Sequence, residues 1–333
     1  MKKLFLSMVA LVVATMSYAQ NTLVATLSHG DEVTMFYGSS ALVNAVDAAE
    51  SGDVITLSSG TFEKCDISKG ITIRGAGAEG EKATKITGYS LTISIPQSDS
   101  NRFILEGVDY AGSYMYIYGS SSNLYFIKCI FESGTVTCSS SSKTTFVNCK
   151  IPAMSLAGSH YSKLVNCDIS KFNNSETGTS KAEFYNCYYY TRSSGDKLYK
   201  TSWVNSIICC INYTSTPSFG EYSSAMNCIL IGASVGISVD CYRPKVSEVF
   251  ASYENSLIDG RYAAYADLPT TNKLSAEAKT KYLGTDGKEV GLYGGQYPYD
   301  LTPTYPLITK LNVAKQATAD NKLSVEIEVS ATE

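Results

Sequence analysis

The sequence predicts an all-β chain: a single-stranded parallel β-helix of about nine coils, closed by an N-terminal capping helix and followed by a C-terminal β tail. Three observations predict it. A motif centred on an Asn-Cys pair returns about every twenty residues, the residues around each copy alternate as in strands, and long helix-period segments are missing.

Residues 1–19 read as an export signal. Lys2 and Lys3 precede an apolar run too short to span a bilayer, and Ser17-Tyr18-Ala19 puts small residues where a signal peptidase cuts. No cysteine follows the run, so lipid anchoring is not expected, and no later stretch is apolar enough for a transmembrane segment. The expected location is extracellular, on the outer-membrane surface, or in the periplasm. In "SSALVNAVDAAESGDVITLSSGTF" (39–62), Ser40 is placed to cap a short helix whose Leu42, Val43, Val46 and Ala49 share a face, the lid that a solenoid end requires. His29 falls in a turn ahead of it.

The repeat aligns "YFIKCIF" (125–131), "TFVNCKI" (145–151), "KLVNCDI" (163–169), "EFYNCYY" (183–189), "SWVNSII" (202–208), "AMNCIL" (225–230) and "YENSLI" (253–258), with fainter copies at 72–77 and 104–109. The anchors are 75, 107, 129, 149, 167, 187, 206, 228 and 256. Leucine-rich repeats share the period but need a leucine pattern that is missing here, and helical repeats need longer units. Successive coils then pair in parallel about 4.8 Å apart. Residues three before the anchor (Ile104, Phe126, Phe146, Leu164, Phe184, Trp203) and two after it (Phe131, Ile151, Ile169, Tyr189, Ile208, Leu230) are expected to stack inward. The Asn column is expected at a strand-to-strand bend, because Asn tolerates left-handed backbone, with its amides bonding from coil to coil. Cys129, Cys149, Cys167, Cys187 and Cys228 are small inward residues, Ser206 and Ser256 their isosteres, and Gly75 and Gly107 fill the same slot. Stacked Cβ atoms at the strand spacing are too far apart for disulfides, which want about 3.8 Å, so these thiols are expected reduced. No CxxC pair or Cys-His spacing suggests a metal. Of Cys209 and Cys210, one is expected to face out. The position after the Cys (Val108, Ile130, Lys150, Asp168, Tyr188, Ile207, Ile229, Leu257) should face outward, yet is mostly apolar. Either the phase slips there, or a neighbouring segment covers that face.

The segment 39–62 followed by "ISKGITIRGAG" (67–77) resembles the opening of the right-handed parallel β-helix proteins of the pectate-lyase-like superfamily. "GTDGKEVGLYGG" (284–295) resembles the segment that closes many bacterial surface β-helix proteins. The resemblance spans roughly 39–295 and implies a right-handed β-helix exported by a Gram-negative bacterium. Lyases, hydrolases, esterases and non-catalytic surface proteins all share that fold. The expected organisation is a signal peptide (1–19), the capped β-helix (20–300) and a C-terminal hairpin or tail (301–333), where Leu323, Val325, Ile327 and Val329 alternate with polar residues about a turn at Ala319-Asp320-Asn321.

The catalytic motifs that the resemblance would imply do not carry over. Pectate lyases have an arginine motif resembling RxPxxR; here Arg243-Pro244 is followed by Val246 and Ser247, neither basic. The aspartate pairs and Arg-Ile-Lys segment of polygalacturonases, and the paired aspartates of pectin methylesterases, have no counterpart. Asp109 and Asp168 lie several coils apart, too far for the carboxylate pair of glycoside hydrolysis, and read as solvated charges. His160, in a Ser-rich turn, reads as a surface residue. No catalytic residue, metal ligand or cofactor is assigned. A formal net charge of −4 argues against nucleic acid as a partner. The positive signal is aromatic. The chain has 25 tyrosines, and "SYMYIYG" (113–119) puts Tyr114, Tyr116 and Tyr118 on one strand face opposite Met115 and Ile117, while "CYYYT" (187–191) adds Tyr188 and Tyr190. If exposed, these tyrosines are candidate ligand-binding residues that could stack on sugar rings; the alternative is burial in the core ladder. The leading expectation is a non-catalytic, adhesin-like protein binding a polysaccharide or a host or cell-surface glycan. The alternatives are a polysaccharide lyase or glycoside hydrolase acting on an acidic polysaccharide, and a purely structural surface protein.

Overall fold

The structure, a computed structural model, describes residues 23–119, 123–132, 134–139, 143–158, 160–192, 195–211, 219–220, 222–255, 267–305, 307–313 and 325–330. The export signal expected at 1–19 and the coil-like residues 256–258 lie outside these. Strands of successive coils pair in parallel and build a 12-stranded, a 9-stranded and a 5-stranded sheet around one continuous core. The chain is a parallel β-helix.

The expected inward columns form. Phe126, Phe146, Leu164, Phe184, Trp203 and Ala225 pair in register along the long sheet, and all are buried. Their rings stack along the axis, Phe126 on Phe146 at 4.9 Å and Phe184 on Trp203 at 3.7 Å between centroids. Each such side chain removed from water contributes roughly 1.5–3 kcal/mol, so every coil anchors the next. Cys129, Cys149, Cys167, Cys187 and Cys228 are fully buried and free, as the strand spacing requires. Cys210 joins this core, while Cys209 points outward from the rod and is buried under a covering segment.

The N-terminal lid is the helix Ala41–Ala48, which buries Ala41, Leu42, Ala45 and Val46. Ser40 does not cap it, since its hydroxyl donates to Glu63 Oε2 at 2.8 Å. The other end is capped instead, by Lys69 Nζ donating to the carbonyls of Val46 and Ala49 at 3.0 and 2.6 Å. Ahead of the helix an unanticipated hairpin, Val24–His29 with Glu32–Tyr37, extends the long sheet antiparallel to Val54–Leu57. His29 sits at its turn, with Nδ1 2.7 Å from Asp53 Oδ1. At the C-terminus, Leu307–Val313 pairs antiparallel with Val325–Ser330; the expected turn at 319–321 lies outside the described residues.

The Asn column does mark the bend. Asn148, Asn166, Asn186, Asn205 and Asn227 hold φ between 48° and 52°, a left-handed geometry that costs most residues about 1–2 kcal/mol. Their amides, however, do not bond one another. Asn166 Nδ2 donates to Leu292 O at 2.8 Å and Gly294 O at 2.9 Å, Asn148 Nδ2 to Pro298 O at 3.3 Å, and Asn205 exchanges two 3.0 Å bonds with Thr285. Farther up the rod, Lys128 Nζ meets Thr302 O and Asp300, Thr304 donates to Glu106, and the Arg74 guanidinium lies 5.6 Å from the centre of the Tyr305 ring. Residues 285–305 therefore form a strap that climbs back along the corner of the β-helix. The strap thus takes the amide N–H groups of Asn148, Asn166 and Asn205, while Asn148 Oδ1, Asn166 Oδ1 and Asn186 Nδ2 stay buried without a partner among the described residues. The glycines of "GLYGG" permit the approach: a Cβ on Gly291 (φ +93°) would lie 2.5 Å from Ile207 Cδ1, and one on Gly294 would lie 1.7 Å from Glu289 O.

The apolar outward column has a covering segment. Tyr188, Ile207, Cys209, Ile211, Ile229 and Ile231 form a second apolar cluster with Val249, Phe250, Leu274, Ala278 and Leu292. Elsewhere the repeat reading is corrected. Gly75 and Gly107 occupy the Asn position rather than the Cys position, Gly107 with left-handed backbone at φ 64°: Gly75 N donates to Glu106 O and Gly107 N to Ile127 O, just as Asn148 N donates to Val165 O. Leu105, not Ile104, and Val108 are therefore the inward residues, and Asp109 is the outward one, paired with Ile130. Without an Asn-Cys pair, either alignment of a lone Gly was open. The copy at 253–258 is not a coil, because Tyr253–Asn255 pairs antiparallel with Asp267–Pro269. The coil after Cys228 is instead "SVDCY" (238–242): Ile237–Val239 joins the long sheet, and Asp240 (φ 49°) takes the Asn slot before Cys241. Its short spacing from Cys228 hid it.

Candidate functional site

The three sheets give the rod three faces. On the five-stranded face, Tyr114, Tyr116 and Tyr118 point outward while Met115 and Ile117 are fully buried. The three rings are nearly parallel, 5.9 and 5.7 Å apart, and Tyr89, 74% exposed, adds an edge contact to Tyr114 at 5.5 Å. Tyr188 and Tyr190 do not join this row. Tyr188 is buried beneath the covering segment, its ring 5.9 Å from Phe250, and Tyr190 packs half-buried on the same cluster. Tyr188 belongs to the column whose covering the sequence left undecided, and Tyr190 lies two residues further along the same strand.

His160 and Asp109 also depart from expectation. His160 is 1% exposed, and burial pulls its imidazole down to about 4. Asp109 is buried and ion-paired to Lys85 at 2.9 Å. Asp168 accepts from Asn272 Nδ2 at 3.1 Å, and burial raises it to about 6.

A groove of about 660 Å³ runs along the long sheet, within the range of ligand sites. Strand alternation builds its floor. Tyr125, Thr145, Lys163 and Glu183 stand in register in one outward row, and Ile127, Val147, Val165 and Tyr185 in the next. The strap supplies the wall, with exposed Gln296 and Tyr297 beside Asn166 and Asn186. Lys163 Nζ lies 5.1 Å from the centre of the Tyr185 ring, and Tyr185 OH donates to Glu183 Oε2 at 2.9 Å. Arg102 lies 5.4 Å from the centre of the Tyr125 ring. A third outward row, Lys143, Tyr161 and Lys181, follows the groove's edge, and a smaller cleft of about 430 Å³ continues it past Lys181, Glu183 and Tyr222. Lysines thus outnumber the single acid Glu183 here, on a chain whose formal charge is −4.

Burial, then the Glu183 carboxylate, pushes both Tyr161 and Tyr185 above the usual phenol range. Among the described residues no cluster of three or more His, Cys, Asp or Glu side chains is placed to hold a metal. Sequence reasoning missed this groove because its residues lie about twenty positions apart; the signal was the column of outward positions two and four before each Cys.

No family model matches the chain, and the comparison with curated proteins finds no match. Among solved structures it is similar to a mutant of the PL6 family alginate lyase AlyGC, at 10% identity and a TM-score of 0.26, covering 78% of this chain and 58% of that one. The chain thus spans less than two thirds of that structure. A likeness at this score adds nothing about activity or ligand. No helix among the described residues is long and apolar enough to cross a membrane.

Proposed function

We propose that this chain is an exported, non-catalytic glycan-binding protein, adhesin-like in role, whose long-sheet groove holds an extended anionic polysaccharide. The observation that carries the reading is the groove itself. Tyr125, Tyr185 and Tyr297 offer aromatic surface for sugar rings, while Lys163 and the Lys143–Lys181 row offer charge for carboxylates or sulfates along the same line. The export signal at 1–19 supports a location outside the cytoplasm, where such polymers are met. The Tyr114-Tyr116-Tyr118 row is a second aromatic surface on the neighbouring face, suited to a further strand of the same polymer.

Affinity electrophoresis tests this. Gels cast with polygalacturonate should retard the protein, and gels cast with dextran should not. Salt should weaken the retardation, because exposed charges are screened within about 8–10 Å at moderate ionic strength. Lys163→Gln and Tyr185→Ala should each loosen binding several-fold. Appearance of unsaturated uronates would replace the binding reading with a lyase, and new reducing ends without unsaturation would replace it with a hydrolase. Absence of retardation by any polyanion would leave a structural surface protein.

A further inference from the structure

The 12-stranded sheet ends on two strands that are each paired along one edge only among the described residues, Glu32–Tyr37 at one end and Ile237–Val239 at the other. The second edge of such a strand presents backbone N–H and C=O groups to a further strand. Sheet edges are usually blunted by charge, proline or a bulge. These two are apolar instead. Val33, Met35 and Tyr37 stand exposed in one outward row, and Ile237 and Val239 stand exposed in the other, with Met226 beside Val239. Six Val, Ile, Leu and Met side chains are exposed among the described residues, and five of them lie at these two edges, Leu283 being the sixth. Apolar surface gathered in this way marks a contact site.

The two edges match in direction and in charge. Glu32–Tyr37 pairs antiparallel with Val24–His29, which pairs antiparallel with Val54–Leu57. The edge strand therefore runs the same way as the coil strands. It is not recessed behind the lid, because the hairpin adds two strand spacings, about 9–10 Å, and the lid helix is about 10–12 Å across. A second copy stacked along the axis brings Glu32–Tyr37 against Ile237–Val239 as one more parallel pair, with the two apolar rows side by side on the outward face. Residues 23–53 hold five acids, Asp31, Glu32, Asp47, Glu50 and Asp53, and no Lys or Arg. At the other end, residues 222–247 hold Arg243 and Lys245 against the one acid Asp240. Arg243 lies over the last coil, with Nη1 donating to Ala233 O at 3.0 Å and Nη2 to Ser238 Oγ at 3.4 Å. Pairing Glu32–Tyr37 with its own copy about a two-fold axis would set acid against acid; head to tail sets acid against base.

We propose that these edges dock on each other between copies of this chain, joining the rods head to tail into a filament. The contact is heterologous: each copy added leaves a new open edge, so growth does not stop at a dimer.

Sedimentation velocity of the chain purified after export tests this. Species larger than a dimer should grow in as concentration rises. Met35→Lys and Ile237→Lys, both at exposed positions, should leave the melting temperature unchanged, and each should hold the chain as a monomer, since a lysine on an edge strand resists burial. Mixing the two variants should give a 1:1 dimer and nothing larger, because one intact head meets one intact tail. Val33→Lys and Val239→Lys repeat the test should either first variant lower the melting temperature. Lys163→Gln should leave assembly unchanged, which separates it from glycan binding. The proposal is overturned if the wild type stays monomeric at every concentration, which would leave the edges to another segment of this chain or to a different partner. It is also overturned if association stops at a dimer that one of the two variants leaves intact, which would mark a strand pairing with its own copy, or if mixing the variants restores no association.

Discussion

Asn166 is the sharpest test of how the strap is held. Its side chain is 1% exposed, its backbone is left-handed at φ 48°, and its Nδ2 donates to Leu292 O and Gly294 O at 2.8 and 2.9 Å. Asn166→Gly keeps the backbone geometry and deletes the amide. Two hydrogen bonds at about 1 kcal/mol each are lost. Leu292 O keeps its bond from Tyr299 N, so only one carbonyl is stranded, and the greater freedom of glycine in the unfolded chain adds about 0.5–1 kcal/mol. The expected loss is about 2–3 kcal/mol. Asn166→Ala loses the same bonds, without the glycine entropy, and adds left-handed strain of about 1–2 kcal/mol, so it should cost about 3–4 kcal/mol. Asn227, half-exposed and remote from the strap, supplies the control; Asn227→Gly should cost less than about 1 kcal/mol. Urea unfolding followed by the fluorescence of Trp203 is the assay. Trp203 is the single tryptophan, fully buried two coils from the site and stacked on Phe184 of the coil between. Asn166→Gly behaving like the wild type would show that the amide does not hold the strap. Alanine costing no more than glycine would show that the backbone carries no strain there.

Three further outcomes follow from the same geometry. Native thiol titration should find Cys241 reacting first, its thiol pulled down to about 6 by its contact with Cys228, while Cys129, Cys149, Cys167 and Cys187 stay inert until denaturation; a disulfide between any two of them would contradict the stacking. Replacing Tyr114, Tyr116 and Tyr118 together by Ala should cost little in melting temperature, because they face outward, whereas Met115→Ala alone should cost about 2–5 kcal/mol; a triple variant as damaged as the Met115 one would place the row in the core. His160, held near 4 by burial against 6.5 when free, contributes stability that is complete above pH 6.5 and lost as pH falls towards 4, by roughly 3 kcal/mol in full. Asp168, raised to about 6, works in the opposite direction over the same range, so the urea midpoint should fall less steeply with acid in His160→Gln than in the wild type, and equal slopes would reject the assignment.

The Asn-Cys rhythm made most of the fold legible. A left-handed bend accepts few residue types, and the inward slot beside it accepts only small ones, so chemistry itself spells out the coil. Where Gly replaced the pair at 75 and 107, that double constraint vanished and the phase slipped by one. The strap left no such trace, since Leu292, Gly294 and Pro298 act through backbone carbonyls that any residue could supply; only the glycines at 291 and 294 hinted at close approach. His160 read as surface because Ser and Gly flank it, although the chain buries it. The groove was written in outward positions of separate coils, where no short motif gathers Tyr125, Lys163 and Tyr185.

A crystal structure with a polygalacturonate oligosaccharide most directly tests the claim that the long-sheet groove is a binding site for an anionic glycan. The oligosaccharide should lie intact along Tyr125, Tyr185 and Tyr297 with a carboxylate at Lys163. A ligand bound on another face, or found cleaved in the groove, would contradict the account.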